Sequence, residues 1–314
     1  MAGVVQYTEF GGPEVLEFVE VATPEPGDGE VLLEVRAAGV NPIDAKLRAG
    51  LRASTPITTP RRVGSDASGV VAAVGPGVEG WAVGDEVIAS GVRGAYATHA
   101  IVAASGLTRK PTAISWAQAA ALGVPAGTAY QSLKSLGVGQ GTTLLVHAAS
   151  GAVGQAAVQF ARAWGATVIG TAGPANQDRL RQLGAIPVEY GPGLAERVRA
   201  IAPQGVDRVL DAAGTDEAIA ASLELVADPQ QVGTIVRGAD APGWGIRAWS
   251  GGSATPLTAE EKAWRHEAVG VAAELAARGA FDIEIARSLP LEQAAEAHRL
   301  LAGGKVRGKI VLLP

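Results

Sequence analysis

The stretch Thr143-Leu-Leu-Val-His-Ala-Ala-Ser-Gly-Ala-Val-Gly154, continued by Gln155-Ala-Ala-Val-Gln-Phe-Ala-Arg-Ala-Trp-Gly165, decides how the chain is read. A short apolar run ends in a turn of small residues. The turn opens into an Ala-rich helical pattern, and residues 166–170 read as a second strand. Strand, glycine turn, helix and strand in this order form the unit that holds a dinucleotide phosphate. A strict G-x-G-x-x-G would place glycine at 149, where the chain has Ala149. Gly151 still lets backbone approach a pyrophosphate, and Gly154 lets the helix pack closely on the sheet. The helix N-terminus contributes free N–H groups and partial positive charge. An ordinary small-residue turn between strand and helix is the competing reading, and the flanking pattern argues against it.

That pattern alternates strand and helix from about Ser115, a predicted helix N-cap. Strands are expected at Thr143–His147, Thr167–Thr171, Pro187–Tyr190, Arg208–Asp211 and Gln231–Arg237. Helices are expected at Val153–Trp164, Asn176–Leu183, Leu194–Ile201 and Glu217–Val226. Alternation with short connections predicts a parallel sheet covered on both faces. Trp244–Trp249 is a candidate further strand. Thr258 is placed to cap a helix over Ala259–Arg278. Ile283–Leu289, Leu291–Ala302 and Lys309–Leu313 then read as strand, helix and strand. Residues 1–120 are instead a series of short strands: Val4–Tyr7, Leu16–Val21, Glu30–Ala38, Gly69–Val74, Asp85–Ala89 and Tyr96–Val102. The turn signals between them are dense, which predicts a β-rich domain. Arg48–Arg62 has no period and reads as a loop able to cover a site.

Composition narrows the class. The chain has 314 residues, 47% of them hydrophobic, with 26 Lys and Arg against 31 acids and a net charge of −5. No basic block marks a nucleic-acid footprint. No long uniformly apolar window marks a membrane span, and no secretory signal is apparent. Cysteine is absent, so disulfides, thiol nucleophiles and thiolate metal sites are excluded. A cytoplasmic enzyme is the expectation.

The motifs together resemble one family. They are Tyr7-Thr-Glu-Phe-Gly-Gly-Pro-Glu-Val-Leu16, Ala37-Ala-Gly-Val-Asn-Pro-Ile-Asp44, Gly64-Ser-Asp-Ala-Ser-Gly-Val-Val71, Gly84-Asp-Glu-Val87 and Gly94-Ala-Tyr-Ala97. Ala119-Ala-Ala-Leu122, Thr128-Ala-Tyr130, the glycine loop and Arg307-Gly-Lys-Ile-Val-Leu312 follow. In this order and spacing they resemble a zinc-free medium-chain dehydrogenase/reductase of the quinone oxidoreductase, zeta-crystallin-like branch. The resemblance implies an α/β fold: a GroES-like β-rich catalytic domain (1–121 and 259–314) plus a Rossmann domain with a doubly wound parallel sheet (122–258). It implies a cleft between the two and a homodimer formed through the sheet edge near Trp244–Trp249. Gly238–Thr258 would shape either that edge or the substrate pocket.

Zinc-dependent relatives carry a Cys where this chain has Asn41 and a His-Glu pair where it has Ser65-Asp66. The four histidines lack ligand spacing, so no metal site is expected. Without a Lewis acid, hydride addition to a quinone or enone is easier to explain than alcohol oxidation, because the receiving oxygen needs only a hydrogen bond or proton.

The resemblance assigns the remaining candidates. Asn41 falls beside nicotinamide and substrate, where its amide would hold the ribose or the acceptor carbonyl; its other reading is a turn residue before Pro42. Thr128 falls near the carboxamide, with a helix cap as its alternative. Ser150, Gly151, Ala152, Val153 and Gly154 form the phosphate loop. Gly173, Asn176 and Tyr190 fall at the adenine and 2′-phosphate end. No acid stands at the end of the second strand (Thr171-Ala-Gly-Pro-Ala-Asn-Gln177), which favours NADPH over NADH. Relatives often carry a cation near 176–177, and Asn176-Gln177 departs from that. Arg179 and Arg181 are the nearby cations, each also readable as a solvated helix face. Lys309 resembles a C-terminal cation that reaches the cofactor phosphates, and Lys305 reads as a merely solvated cation. Lys46 stands where many quinone reductases have a Tyr, either donating a proton to the reduced oxygen or facing solvent. Asp44 and Arg48 are spaced for an i, i+4 ion pair. His147 reads as packing rather than as a base, and Asp211 as a loop cap. Three functions fit: an NADPH-dependent quinone or enone reductase, an enoyl-thioester reductase, and a non-catalytic NADP-binding sensor.

Overall fold

The computed structural model describes all residues except 53, 54 and 305. Lys305 and part of the predicted Arg48–Arg62 loop therefore lie outside the described residues. The elements in chain order are β1 (Ala2–Tyr7), β2 (Glu17–Val21), β3 (Glu30–Val40), α1 (Pro42–Arg48), β4 (Arg61–Arg62), β5 (Asp66–Val74), β6 (Glu86–Ser90), β7 (His99–Ala103), β8 (Leu107–Arg109) and α2 (Trp116–Ala120). Then come α3 (Gly123–Leu136), β9 (Thr143–His147), α4 (Ala152–Ala163), β10 (Thr167–Thr171), α5 (Gln177–Gln182), β11 (Ile186–Val188), α6 (Leu194–Ile201), β12 (Arg208–Asp211), α7 (Asp216–Leu225), β13 (Val232–Thr234), α8 (Ala241–Trp244) and β14 (Arg247–Ala248). The chain ends with α9 (Ala259–Ala277), β15 (Ile285–Pro290), α10 (Ala294–Ala302) and β16 (Lys309–Leu313).

Two compact units result. Met1–Val124 with Val269–Pro314 forms the first, and Pro125–Ala268 the second. In the first, a sheet runs β15-β16-β3-β5-β6-β8, with β7 also on β3; a smaller sheet runs β2-β1-β4. The long β3 organises the larger sheet because Val31, Leu33 and Val35 alternate into its core, where Val71, Val87, Ile310 and Leu312 meet them. The C-terminal β16 pairs antiparallel with β3, Ile310 opposite Val40. This pairing brings Lys309 next to the Asn41 end of β3.

In the second unit the sheet is parallel throughout, in the order β11-β10-β9-β12-β13-β14. Leu145, Ile169, Val188, Val209 and Val232 are buried in its core with Leu194 and Val198 of α6 and Ile219 of α7. Strand order reverses between β9 and β12, so the carboxyl end of β9 is the switch point where such sheets bind ligands.

The predicted caps are present. Ser115 and Gln118 exchange side-chain-to-backbone hydrogen bonds at α2, and Thr258 and Glu261 do the same at α9. Three expectations change. Trp244–Trp249 is not one strand: Ala241–Trp244 is helical and only Arg247–Ala248 pairs with β13. The region 48–62 is not all loop, because Arg61 and Arg62 pair with β1. Helix α3 was not expected at all. Its residues are buried on nearly every side, so it carries no amphipathic stripe. Pro125 sits in its first turn, where no N–H partner is lost.

Candidate functional site

The glycine loop connects β9 to α4 at the switch point. Gly151 is the N-cap of α4, and no side chain caps the helix there. The N–H groups of Ala152 and Val153 lie in the first turn, which has no intrahelical acceptors, and all three residues are partly open to solvent. Gly154 is buried, and a Cβ on it would stand 2.4 Å from the Ala148 carbonyl oxygen and 2.5 Å from the Ala149 Cα. Helix and loop backbones touch because this residue has no side chain. The absent glycine at 149 costs nothing, because the left-handed residue of the turn is Ala148, at φ +52°. A left-handed alanine stores on the order of 1 kcal/mol of strain. The loop is braced from behind: Gln155 Nε2 donates to the Ser150 carbonyl, and the Arg179 guanidinium donates to Gln155 Oε1. An uncapped, partly exposed helix N-terminus with close backbone fits a dinucleotide pyrophosphate.

Beside the loop, the ends of β10 and β11 bring three further candidates together. Asn176 Nδ2 lies 3.4 Å from Ser150 Oγ. A Cβ on Gly173 would lie 3.3 Å from the Tyr190 hydroxyl, and Tyr190 is 60% exposed. Arg181 pairs with Asp178 on the surface, so the two arginines of α5 each have a partner on the protein. Thr128 is almost fully buried within α3 rather than capping it.

His147 is buried at the end of β9 with Nε2 3.0 Å from Ser222 Oγ, and burial pushes its pKa down to about 4. It stays neutral and packs, as the sequence suggested. Asp211 Oδ1 accepts from Ala213 N and Gly214 N, and Oδ2 accepts from Thr234 Oγ1, so it caps the loop after β12.

The first unit holds a buried polar cluster built on the turn between β3 and α1. Asn41 Nδ2 donates to Asp66 Oδ2 at 2.9 Å and to the Gly39 carbonyl at 3.2 Å. Lys309 Nζ donates to Asn41 Oδ1 and lies 3.3 Å from Asp66 Oδ2. Both Asp66 oxygens also accept from Val124 N. Asp44 Oδ2 accepts from Asn41 N at 2.9 Å and from the Tyr96 hydroxyl at 3.0 Å, while Oδ1 accepts from Ser65 Oγ at 2.7 Å. The Tyr96 hydroxyl is 3.3 Å from His298 Nε2. Burial, with the Asp66 charge adding to it, raises the Asp44 pKa to about 6. Burial lowers the Lys309 ammonium from its ordinary value against the pull of Asp66 and Asp44.

These contacts bear on three expectations. The Lys309 ammonium, expected to reach the cofactor phosphates, is instead bonded to Asn41 and Asp66 at 2% exposure. Asn41, expected to hold the ribose or the acceptor carbonyl, has both amide hydrogens bonded to the protein, and Lys309 takes one of the two Oδ1 lone pairs. Asp44 and Arg48 do not pair. Asp44 turns inward, and Arg48 Nε and Nη1 are buried with no partner. Lys46, by contrast, is half-buried with no carboxylate partner among the described residues, and burial together with nearby Arg52 lowers its pKa. Ser65, Tyr96 and His298 were not singled out as a group from sequence. The only signal for Ser65 and Tyr96 was membership of the Gly64-Ser-Asp and Gly94-Ala-Tyr motifs, and His298 lay in no motif at all.

The donors at Asn41, Ser65 and Asp66 are an amide, a hydroxyl and a carboxylate already bonded to an ammonium. They are not the Cys and His set that holds zinc. Among the described residues no group of three or more His, Asp and Glu is placed to hold a metal ion.

Comparison with known proteins gives two family matches: an alcohol dehydrogenase GroES-like domain over residues 27–112 and a zinc-binding dehydrogenase domain over residues 183–312. The human quinone oxidoreductase is 43% identical over 172 residues, 54% of this chain and 52% of that protein. The chain thus spans about half the length of the mammalian relatives it matches. The quinone oxidoreductase of Pseudomonas aeruginosa is 35% identical over the full length of both chains. The crystal structure of Escherichia coli quinone oxidoreductase complexed with NADPH superposes with a TM-score of 0.85 at 27% identity, covering 99% of this chain and 100% of that one. With the GroES-like and parallel-sheet halves both present, the chain belongs to the medium-chain dehydrogenase/reductase family, in its quinone oxidoreductase branch.

Proposed function

We propose that this chain is an oxidoreductase that uses NADPH to reduce a quinone or an α,β-unsaturated carbonyl, without zinc. The observation that carries the reading is the uncapped N-terminus of α4 after β9, packed on the loop through Gly154. The similar E. coli enzyme, crystallised with NADPH, supports it. When bound, NADPH supplies the hydrogen and electron pair for the reduction. Ala152 and Val153 offer N–H groups to the pyrophosphate, while Gly151, whose own N–H donates to the Ala148 carbonyl, lets the backbone come close. Ser150, Gly173, Asn176 and Tyr190 border the adenosine end, and residues 171–177 after β10 carry no acid to hold the ribose hydroxyls of NADH, so NADH is the weaker cofactor. Thr128 supports the carboxamide end. Asn41 accepts from a ribose hydroxyl through its one remaining lone pair. Lys46 offers positive charge to the reduced oxygen.

The partner is a small molecule rather than nucleic acid or membrane. The net charge is −5, and no described helix is long and apolar enough to cross a membrane. The proposed location is cytoplasmic and the proposed assembly a homodimer through the β14 edge, which sedimentation as a monomer would overturn. The reading is tested by following loss of NADPH absorbance against a panel of quinones, enones and enoyl thioesters. Turnover of quinones or enones supports it. Turnover of thioesters alone replaces it with a biosynthetic enoyl reductase. Tight NADPH binding without turnover of any acceptor replaces it with a sensor.

A further inference from the structure

Ser65 is the one member of the buried polar cluster in the first unit that is partly open to solvent and ends in a hydroxyl. The backbone before it is held in a conformation that favours glycine. Gly64 has φ +104°, its carbonyl accepts from Gly94 N and Ala95 N, and a Cβ there would lie 2.4 Å from the Tyr96 ring. This close approach places the Ser65 hydroxyl in front of Asp44, with Tyr96 on the other carboxylate oxygen. The result is a hydrogen-bonded line from a partly buried hydroxyl to a carboxyl 2% exposed, then to the Tyr96 hydroxyl and His298 Nε2.

We propose that Ser65 donates the proton that completes reduction of the acceptor, and that Asp44 behind it stores that proton. The proposal rests on the reductase reading above and supplies what that reading leaves unassigned, the source of the proton.

Polarity decides the argument. When Asp44 is ionised, it can only accept, so the Ser65 hydrogen is committed inward. When Asp44 carries a proton on Oδ1, it donates to Ser65 Oγ, and the Ser65 hydrogen is free to turn outward. Only the protonated state makes Ser65 a donor to solvent or ligand. Several groups face Asp44 and set this balance: Asp66 from β5, Lys309 from β16, Tyr96 from the segment before β7, His298 from α10 through Tyr96, and Arg48 from its own helix. Burial and Asp66 favour the proton; Ser65, Asn41 N and Lys309 oppose it, and the carboxyl ionises at about 6. A store that titrates close to neutral both releases and recovers its proton readily.

The step balances. Bound NADPH would supply a hydride, and the acceptor oxygen would then carry the negative charge. A new O–H bond forms there as Ser65 Oγ–H breaks, and Ser65 takes the Asp44 Oδ1 proton in the same exchange. The carboxylate left behind is held by Asn41 N and the Tyr96 hydroxyl, with Lys309 nearby. After product leaves, water returns the proton through Ser65.

The test uses Ser65→Ala and Ser65→Thr in the full chain. Wild type is expected to lose kcat as pH rises through about 6, with NADPH and acceptor KM nearly flat. Ser65→Ala should lower kcat roughly a hundredfold and abolish that limb, with KM values little changed, and Ser65→Thr should restore both. An Ala variant that keeps wild-type kcat and pH profile overturns the donor role. Independently of activity, infrared difference spectra of cofactor-free protein should contain a protonated carboxyl band that titrates near pH 6 and is absent in Asp44→Asn. Absence of that band from wild type overturns the store. A wild type inactive on every acceptor overturns the reductase reading and the donor role with it, while the band still decides whether Asp44 holds a proton.

Discussion

Lys309 Nζ stands 3.3 Å from Asp66 Oδ2, with the two side chains only 2% and 1% exposed. Lys309 also donates to Asn41 Oδ1, so one ammonium fixes which way the Asn41 amide faces. A carboxylate can only accept and an ammonium can only donate, so the flipped amide would oppose both neighbours. Removing the ammonium leaves a buried, uncompensated carboxylate. Lys309→Met is therefore expected to cost about 3–5 kcal/mol of stability in urea denaturation. NADPH affinity of the folded fraction should change less than about twofold. A large loss of NADPH affinity at unchanged stability would restore Lys309 as a phosphate ligand.

Gly154→Ala places a methyl group against the Ala148 and Ala149 backbone, which cannot rotate away as a side chain would. The expected cost is about 1–3 kcal/mol. The helix N-terminus must move off the loop, so NADPH binding followed by fluorescence titration should weaken roughly tenfold or more. Unchanged affinity would mean that the α4 N-terminus does not hold the cofactor.

The buried histidines predict a loss of stability in acid. His147 and His298 both have pKa values lowered to about 4 by burial, against 6.5 for the unfolded chain. Between pH 6.5 and 4 the unfolded chain binds their protons and the native chain does not. Each shift therefore contributes stability at neutral pH, on the order of 3 kcal/mol, that disappears as pH falls through this window. Asp44 acts in the opposite sense. Its pKa is raised from 3.8 to about 6, so its contribution is present in acid and lost as pH rises through that range. Two histidines outweigh one carboxyl, so the urea midpoint should be lower at pH ~4.5 than at pH ~7. His147→Gln should remove roughly half of the histidine-linked slope.

The rim proposed for the 2′-phosphate, Ser150, Gly173, Asn176 and Tyr190, contains no cation, and of the nearby arginines Arg179 is bonded to Gln155 and Arg181 to Asp178. Asn176→Arg should raise the preference for NADPH over NADH, measured as the ratio of kcat/KM values, by roughly tenfold at low salt. An unchanged ratio would place the 2′-phosphate elsewhere.

Much of the fold was legible because it follows local rules. β9, β10, α6, β12 and β16 were read at their observed limits, since a strand of branched apolar residues or a helix with one apolar stripe announces its own period. The glycine loop was legible for the same reason, and Ala149 proved harmless once Ala148 was found to make the left-handed turn. α3 was not legible, because a helix buried on nearly all sides has no polar face to set a period. The two-residue β14 was too short to carry one.

The polar site divides along a similar line. Asn41, Lys46 and the loop residues could be singled out by type and motif. Their partners could not: Asn41 and Lys309 are 268 positions apart, and Tyr96 and His298 are 202 apart. Sequence by itself determined a strand–glycine loop–helix unit and a β-rich unit in a chain without cysteine, because period, turn chemistry and composition are properties of neighbouring residues. Tertiary structure alone decided that Lys309 is spent on Asp66 and Asn41, and that Asp44 faces Ser65 and Tyr96 rather than Arg48. Burial and hydrogen-bond polarity exist only once distant strands have brought donors and acceptors into the same dry space.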